Sequence, residues 1–243
     1  MTYAMPKHNH RGLLVFLLLF IYSFSHGQLE SEKFYYGFVA GVSNAAIGEV
    51  HTTIIPPVFP ADTYSTTSNP QLGITAGAFV YYRFEKSKFA IQPEITYSAQ
   101  GGNFHYEDVE DLIYDIDFNY GHLNITPLVK FYTVHGLYAT VGPQLGFIID
   151  RSALTYTSNQ PELGPDLQIQ QSLQAVLKGN NSTAIVLGAG YDTPFGLSIN
   201  ARWVYGLSDA VETLANGFYY IENKNAFSSF QLTLGYHIPF FND

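Results

Sequence analysis

The chain of 243 residues contains no cysteine. That excludes disulfides, thiolate metal centres, cysteine nucleophiles and lipid attachment through an N-terminal cysteine. Charge is scarce as well: Asp, Glu, Lys and Arg make up 13% of the residues, against about 25% in ordinary soluble domains. The balance is acidic, with a formal net charge of −9, so nucleic acid is not an expected partner. An apolar run long enough for a membrane-spanning helix is also missing. The stretch at 13–22, LLVFLLLFIY, falls well short of the ~20 residues such a helix needs. Aromatic residues, by contrast, are plentiful at 16%, and glycine numbers 21. That composition excludes a disordered chain, which is charge-rich and aromatic-poor.

The short apolar run reads as an address. Lys7 and Arg11 precede it, and Ser25 and Gly27 follow it as small residues at the −3 and −1 positions of a secretory cleavage site. Residues 1–27 are therefore expected to be a signal peptide, with a mature chain from Gln28 and a single domain over 28–243.

The mature chain alternates on period two. In 88–100, KFAIQPEITYSAQ, Phe89, Ile91, Pro93, Ile95, Tyr97 and Ala99 oppose Ala90, Gln92, Glu94, Thr96, Ser98 and Gln100. One face is apolar and the other polar, which is the signature of a strand. The same pattern recurs at 122–131 and 197–207, and more weakly at about 34–43, 71–83, 137–149, 183–192 and 228–240. Eight strands result. Three connections are tight (85–87, 133–136 and 192–196), and four are long (about 44–70, 101–117, 150–182 and 208–226). Only 166–178 looks helical, with Asp166 as N-cap, Gly179 beyond its end, and Leu167, Leu173, Val176 and Leu177 as its apolar stripe.

Short turns at one end and long loops at the other are the plan of a transmembrane barrel. The expected fold is all-β: an eight-stranded antiparallel up-and-down transmembrane β-barrel with short periplasmic turns and long extracellular loops. Aromatics gather near both strand ends, as at membrane interfaces. Glycine crowds the polar face, as a narrow interior requires. The apolar rows, among them Ile91, Ile95, Ile125, Val129, Ile199 and Trp203, are assigned to lipid. The polar rows are assigned to the lumen, with Arg83, Glu94, Lys130 and Arg202 as its charges. Glu94 and Arg202 fall near mid-height on strands three and seven, so their side chains are expected to meet across the lumen, with Lys130 as the alternative partner of Glu94. An interior of eight strands is just wide enough for side chains to fill.

The chain end carries Thr233, Gly235, Ile238 and Phe240, a pattern similar to the terminal strand signal read by the bacterial barrel-insertion machinery. Pro239 inside it and three residues after Phe240 depart from that pattern. Five phrases, at 91–102, 123–132, 136–149, 184–209 and 230–240, resemble the PorT-like outer-membrane β-barrel family of Bacteroidota, small eight-stranded "porin family" barrels. The resemblance implies the bacterial outer membrane, contact with its lipid and lipopolysaccharide, and no assigned activity.

No catalytic, cofactor or metal site is expected. The acidic group Glu107, Asp108, Glu110, Asp111, Asp115 and Asp117 reads as a solvated loop face. A catalytic reading rests on His105 and Ser98 approaching each other near the outer rim, and the sequence offers no acid to orient His105. The expected role is a barrel with a filled lumen, acting as a structural anchor or as an accessory that meets an envelope protein through its long loops. A small porin-like channel and a lipid-modifying enzyme are the alternatives.

Overall fold

A computed structural model describes residues 34–48, 65–107, 113–159, 166–213 and 225–239. The wall consists of β1 (Phe34–Ile47), β3 (Gln71–Arg83), β4 (Phe89–Glu107), β5 (Ile113–Tyr132), β6 (Leu137–Ile148), β9 (Ser182–Asp192), β10 (Leu197–Asp209) and β12 (Ala226–Pro239). Each pairs antiparallel with its neighbours, and the β1–β12 and β4–β5 pairings close the ring of eight strands. Closure leaves no edge in the wall, which a solvent without hydrogen-bond donors requires.

The faces follow from that solvent. Ile95, Ile125, Leu187, Trp203, Phe230 and Leu234 point outward, while Glu94, Thr126, Lys130, Asn200 and Gln231 are buried inside. The tight turns reverse the chain with Lys86, His135, Gly136 and Gly196 at positive φ. Glycine supplies that conformation without steric cost at Gly136 and Gly196.

All four segments assigned to long loops contain strand among the described residues. β4 and β5 run to 19 and 20 residues, against 11 to 14 in the rest of the wall. Beyond the barrel mouth they form a hairpin flanked by β2 (Ser65–Asn69) on β4 and β7 (Leu154–Ser158) on β5. The result is a four-stranded arm on the long-loop side. β8 (Leu177–Gly179) and β11 (Val211–Thr213) pair separately.

The helix starts where the sequence places it, as α1 (Asp166–Val176), but ends before Leu177 and Lys178, which belong to β8, and its packed face differs from the expected stripe. Leu167 is exposed, while Ile169 and Leu173 lie against the apolar cluster of the arm. The reason is polar as well as apolar. Asp166, Gln170 and Gln174 lie on the face that meets β7 and bond its outer edge: Ser158 N donates to Asp166 Oδ2 (3.2 Å), Tyr156 N donates to Gln170 Oε1 (3.1 Å), and Gln174 Nε2 donates to Leu154 O (2.8 Å). Four helical residues rise about 6.0 Å and two strand residues about 6.6 Å, so each helical turn meets the next outward-facing edge group of β7.

Candidate functional site in the barrel lumen

The lumen is filled in three layers. The middle layer is polar. Arg202 on β10 reaches across the ring to Glu94 on β4, with Nη1 donating to Oε2 (2.7 Å) and Nη2 donating to Oε1 (3.3 Å). This two-pronged geometry suits a planar guanidinium. Gln92 Nε2 donates to the same carboxylate (2.8 Å), and Arg202 Nη2 also donates to Thr233 Oγ1 (3.3 Å). Above the pair, Asn124 Nδ2 and Gln100 Nε2 both donate to Ser98 Oγ, and Gln144 Nε2 donates to Asn124 Oδ1. Most of these buried polar groups bond to one another, as burial demands, while Gln92 Oε1, Arg202 Nε and Asn200 Oδ1 have no hydrogen-bond partner among the described residues.

The layer at the short-turn end is aromatic around a second ion pair. Lys130 Nζ donates to Asp192 (3.2 and 3.3 Å), and Tyr132 OH donates to the same carboxylate. The ammonium also lies 4.0 Å from the centre of the Tyr138 ring. Tyr35, Phe79 and Tyr81 pack around them. Glycine makes the room: a Cβ on Gly37 would lie 2.4 Å from the Phe79 ring, and one on Gly190 2.4 Å from Tyr138 Oη.

The third layer caps the long-loop end and is apolar. Ile47, Phe104, Ile116, Phe118, Tyr120 and Phe227 join Leu177 of β8 and Val211 of β11 across the mouth. His122, fully buried below this cap, donates from Nε2 to Asn180 O (3.2 Å) and meets Phe227 edge-on.

The four lumen charges named from the sequence fall into two layers. Glu94 and Arg202 are joined to each other. Lys130 is held by Asp192 and not by Glu94. Arg83 is half-buried at the short-turn mouth, with its guanidinium 4.4 Å from the Tyr132 ring centre. Asp192, where the strand 183–192 meets the turn 192–196 in the sequence, is not among the four named charges, yet it continues the even-numbered inward row of β9 through Val186, Gly188 and Gly190, and that parity is the available signal. Of the terminal residues, Thr233 and Gly235 face inward and Ile238 faces outward, while Phe240 lies outside the described residues, as do residues 1–27.

Ser98 and His105 do not meet. They lie seven residues apart on β4, roughly 23 Å at ~3.3 Å per residue, with Ser98 inside the wall and His105 on the outer face of the arm. His105 does have an acid beside it, contrary to expectation: Nδ1 donates to Asp115 Oδ1 at 2.8 Å. Asp115 and Asp117 stand on β5, not in a loop, and Asn103 Nδ2 donates to Asp117 Oδ1 (2.8 Å). Glu107 is the exposed last residue of β4; Asp108, Glu110 and Asp111 lie outside the described residues. Among the described residues, no three His, Cys, Asp or Glu side chains gather as metal ligands.

Comparison with known proteins places the chain among barrels. The family model described as "Outer membrane protein beta-barrel domain" matches residues 24–212. Among solved structures, Neisserial surface protein A is similar at 12% identity, covering 85% of this chain and 97% of that one, with a TM-score of 0.38. OprG from Pseudomonas aeruginosa is similar at 14% identity, with 87% and 99% covered and a TM-score of 0.39. Ail of Yersinia pestis is similar at 13% identity, with 86% and 100% covered and a TM-score of 0.36. No curated protein matches the chain.

Proposed function

Because the chain belongs to the outer membrane protein β-barrel domain family and resides in the outer membrane, we propose that it is an axially closed anchor whose work is done outside the membrane by the arm. The observation that carries this reading is the stacking of three side-chain layers through the lumen, each spanning from wall to wall. A diffusion pore needs about 16 strands to leave an aqueous channel. The arm supplies what an anchor would present: a sheet stiffened by the apolar cluster that also caps the barrel mouth, with amide, imidazole and carboxylate groups on its outer face.

Within the family, the phrases at 91–102, 184–209 and 230–240 favour the PorT-like group of Bacteroidota, and export by a cleaved segment over 1–27 belongs to the same reading. We read the protein as an accessory and not as an enzyme, a reading supported by the separation of Ser98 from His105. Contact with lipopolysaccharide around the wall, passage through the insertion machinery and an envelope protein bound to the arm complete the proposal.

Planar-bilayer recording tests the closure. The purified barrel is expected to show no steady ion conductance, and an open conductance that survives in the presence of intact loops would replace the anchor by the small channel. Whole-cell crosslinking from cysteines introduced at Asn103 and Thr155 tests the partner. Adducts that disappear when the crosslinker is moved to the lipid-facing Ile199 support the arm as the working surface.

A further inference from the structure

The outer wall carries a feature that axial closure does not use. Pro93 on β4, Pro127 on β5 and Pro143 on β6 all point outward. Pro93 pairs with Pro127. The pairs Ile125↔Leu145 and Val129↔Val141 set Pro127 opposite Pro143. Three neighbouring strands therefore place a proline at the same height.

Proline has no N–H to give to a ladder. Between β5 and β6, residues 127 and 143 occupy a position where two residues would exchange both bonds, and the pairing breaks there, from Ile125↔Leu145 to Val129↔Val141. Pro93 opens a smaller gap between β3 and β4. The β1–β3, β1–β12, β4–β5, β6–β9 and β9–β10 ladders run through the wall without such a break. The β5–β6 seam thus lacks both bonds of one rung within the wall, and it faces a solvent that offers no replacement donors.

The inner side of the same seam is apolar. Val186 stands opposite both Gly142 and Val204 in the register. Leu128, Ala184, Val186 and Val204 form an apolar cluster in an otherwise polar stretch of lumen. Gly142 leaves the β6 backbone bare, covered by Leu128, whose Cδ2 lies 3.1 Å from where a Cβ on Gly142 would be. Hydrocarbon on the outside, two missing ladder bonds in the wall and hydrocarbon on the inside lie on one line.

We propose that the β5–β6 seam can part to admit a single alkyl chain from the bilayer, which displaces Leu128 from Gly142 and packs against Val186 and Val204. The ligand class is a fatty acid or the acyl chain of a lipid, whose polar end stays at the membrane surface. This inference is independent of the anchor reading, because a barrel closed along its axis can still open through its side.

The absence of cysteine makes the test clean. Val129→Cys with Val141→Cys places an outward pair across the seam, one rung from the gap. The protein in proteoliposomes is exposed to palmitic acid carrying a diazirine on its chain, irradiated and mapped by mass spectrometry. In the unmodified chain and the reduced double variant, label is expected on the lumen-facing Leu128 and Val186 as well as on outward residues such as Ile125. Oxidation to the disulfide is expected to lower the lumen label at least tenfold and to leave the outward label unchanged. A second variant, Pro127→Val with Pro143→Val, restores both donors and is expected to lower the lumen label in the same way. Lumen residues that stay unlabelled in the unmodified chain, or that are labelled equally in the locked one, would overturn the proposal.

Discussion

β4 and β5 pass through two regions of the molecule and obey opposite rules in each. Within the barrel their inward residues are polar (Gln92, Glu94, Thr96 and Asn124, Thr126, Lys130), and their outward residues are apolar (Ile91, Ile95 and Leu123, Ile125). In the arm the inward residues are Phe104, Ile116 and Phe118, and the outward ones are Asn103, His105, Asp115 and Asp117. The backbone parity never changes. What changes is the solvent: hydrocarbon around the barrel, water around the arm. The inversion falls where Gly101, Gly102 and Gly121 stand, residues with no side chain to oppose either rule. Facing direction is therefore a property of the strand, and the polarity of a face is a property of its surroundings.

The largest effect should come from removing one charge of the buried pair and comparing it with the exposed pair of the arm. Glu94 and Arg202 are 1% and 6% exposed. Arg202→Met leaves a carboxylate stranded in the lumen and should cost on the order of 3–5 kcal/mol, read by urea unfolding in detergent. A double-mutant cycle with Glu94→Gln should show strong coupling, and additive effects would dissolve the pair as a structural unit. His105 and Asp115 sit at the same short distance but at 38% and 35% side-chain exposure. Water and salt screen them, so His105→Gln should change stability by only ~0–1 kcal/mol.

A smaller effect comes from placing one arginine on the same face of one strand in each region. Ile125 faces lipid, and Asn119, six residues along β5, faces water beside the arm. Ile125→Arg should cost roughly 2–4 kcal/mol and impair assembly. Asn119→Arg should stay within about 0.5 kcal/mol. Equal costs, measured as the heat-modifiable folded fraction on gels, would mean that the inversion has been drawn at the wrong place.

That inversion also explains how much could be read from the sequence. Alternation located the eight wall strands because lipid and lumen keep the contrast sharp, and counting residues up from the turns at 86 and 194 placed Glu94 and Arg202 at one height. The same method ended β4 near Gln100 and began β5 near His122, because the polarity pattern reverses there and a reversed pattern looks like a lost one. Asp192 escaped for a related reason: at the strand end, turn composition masked the inward parity. The pairing of His105 with Asp115 depends on β4 and β5 continuing in register past the membrane, and nothing in the local sequence announces that continuation. The proline seam was visible only in part. Pro93 and Pro127 stood on the apolar face, but their alignment with Pro143 is a property of register.

The smallest effect belongs to the arm alone and tests how its β7 edge is held. β7 pairs with β5 on one side, and its other side would offer unpaired backbone groups, a template for unwanted strand addition. α1 covers that side with Asp166, Gln170 and Gln174, one bond per turn. An 11-residue helix is marginal on its own, so the bonds to β7 and the seating of Ile169 and Leu173 hold it in place. Each rung should contribute about 0.5–1.5 kcal/mol. Gln170→Ala removes the acceptor of the Tyr156 amide and should speed hydrogen exchange at that amide roughly threefold to tenfold. The buried amide of Val186 in the barrel should keep its protection. Loss of protection in both places would tie the helix to the wall, and the arm would cease to be a separately stabilised unit. An unchanged Tyr156 amide would show that apolar packing alone seats the helix, leaving the three polar rungs without energetic weight.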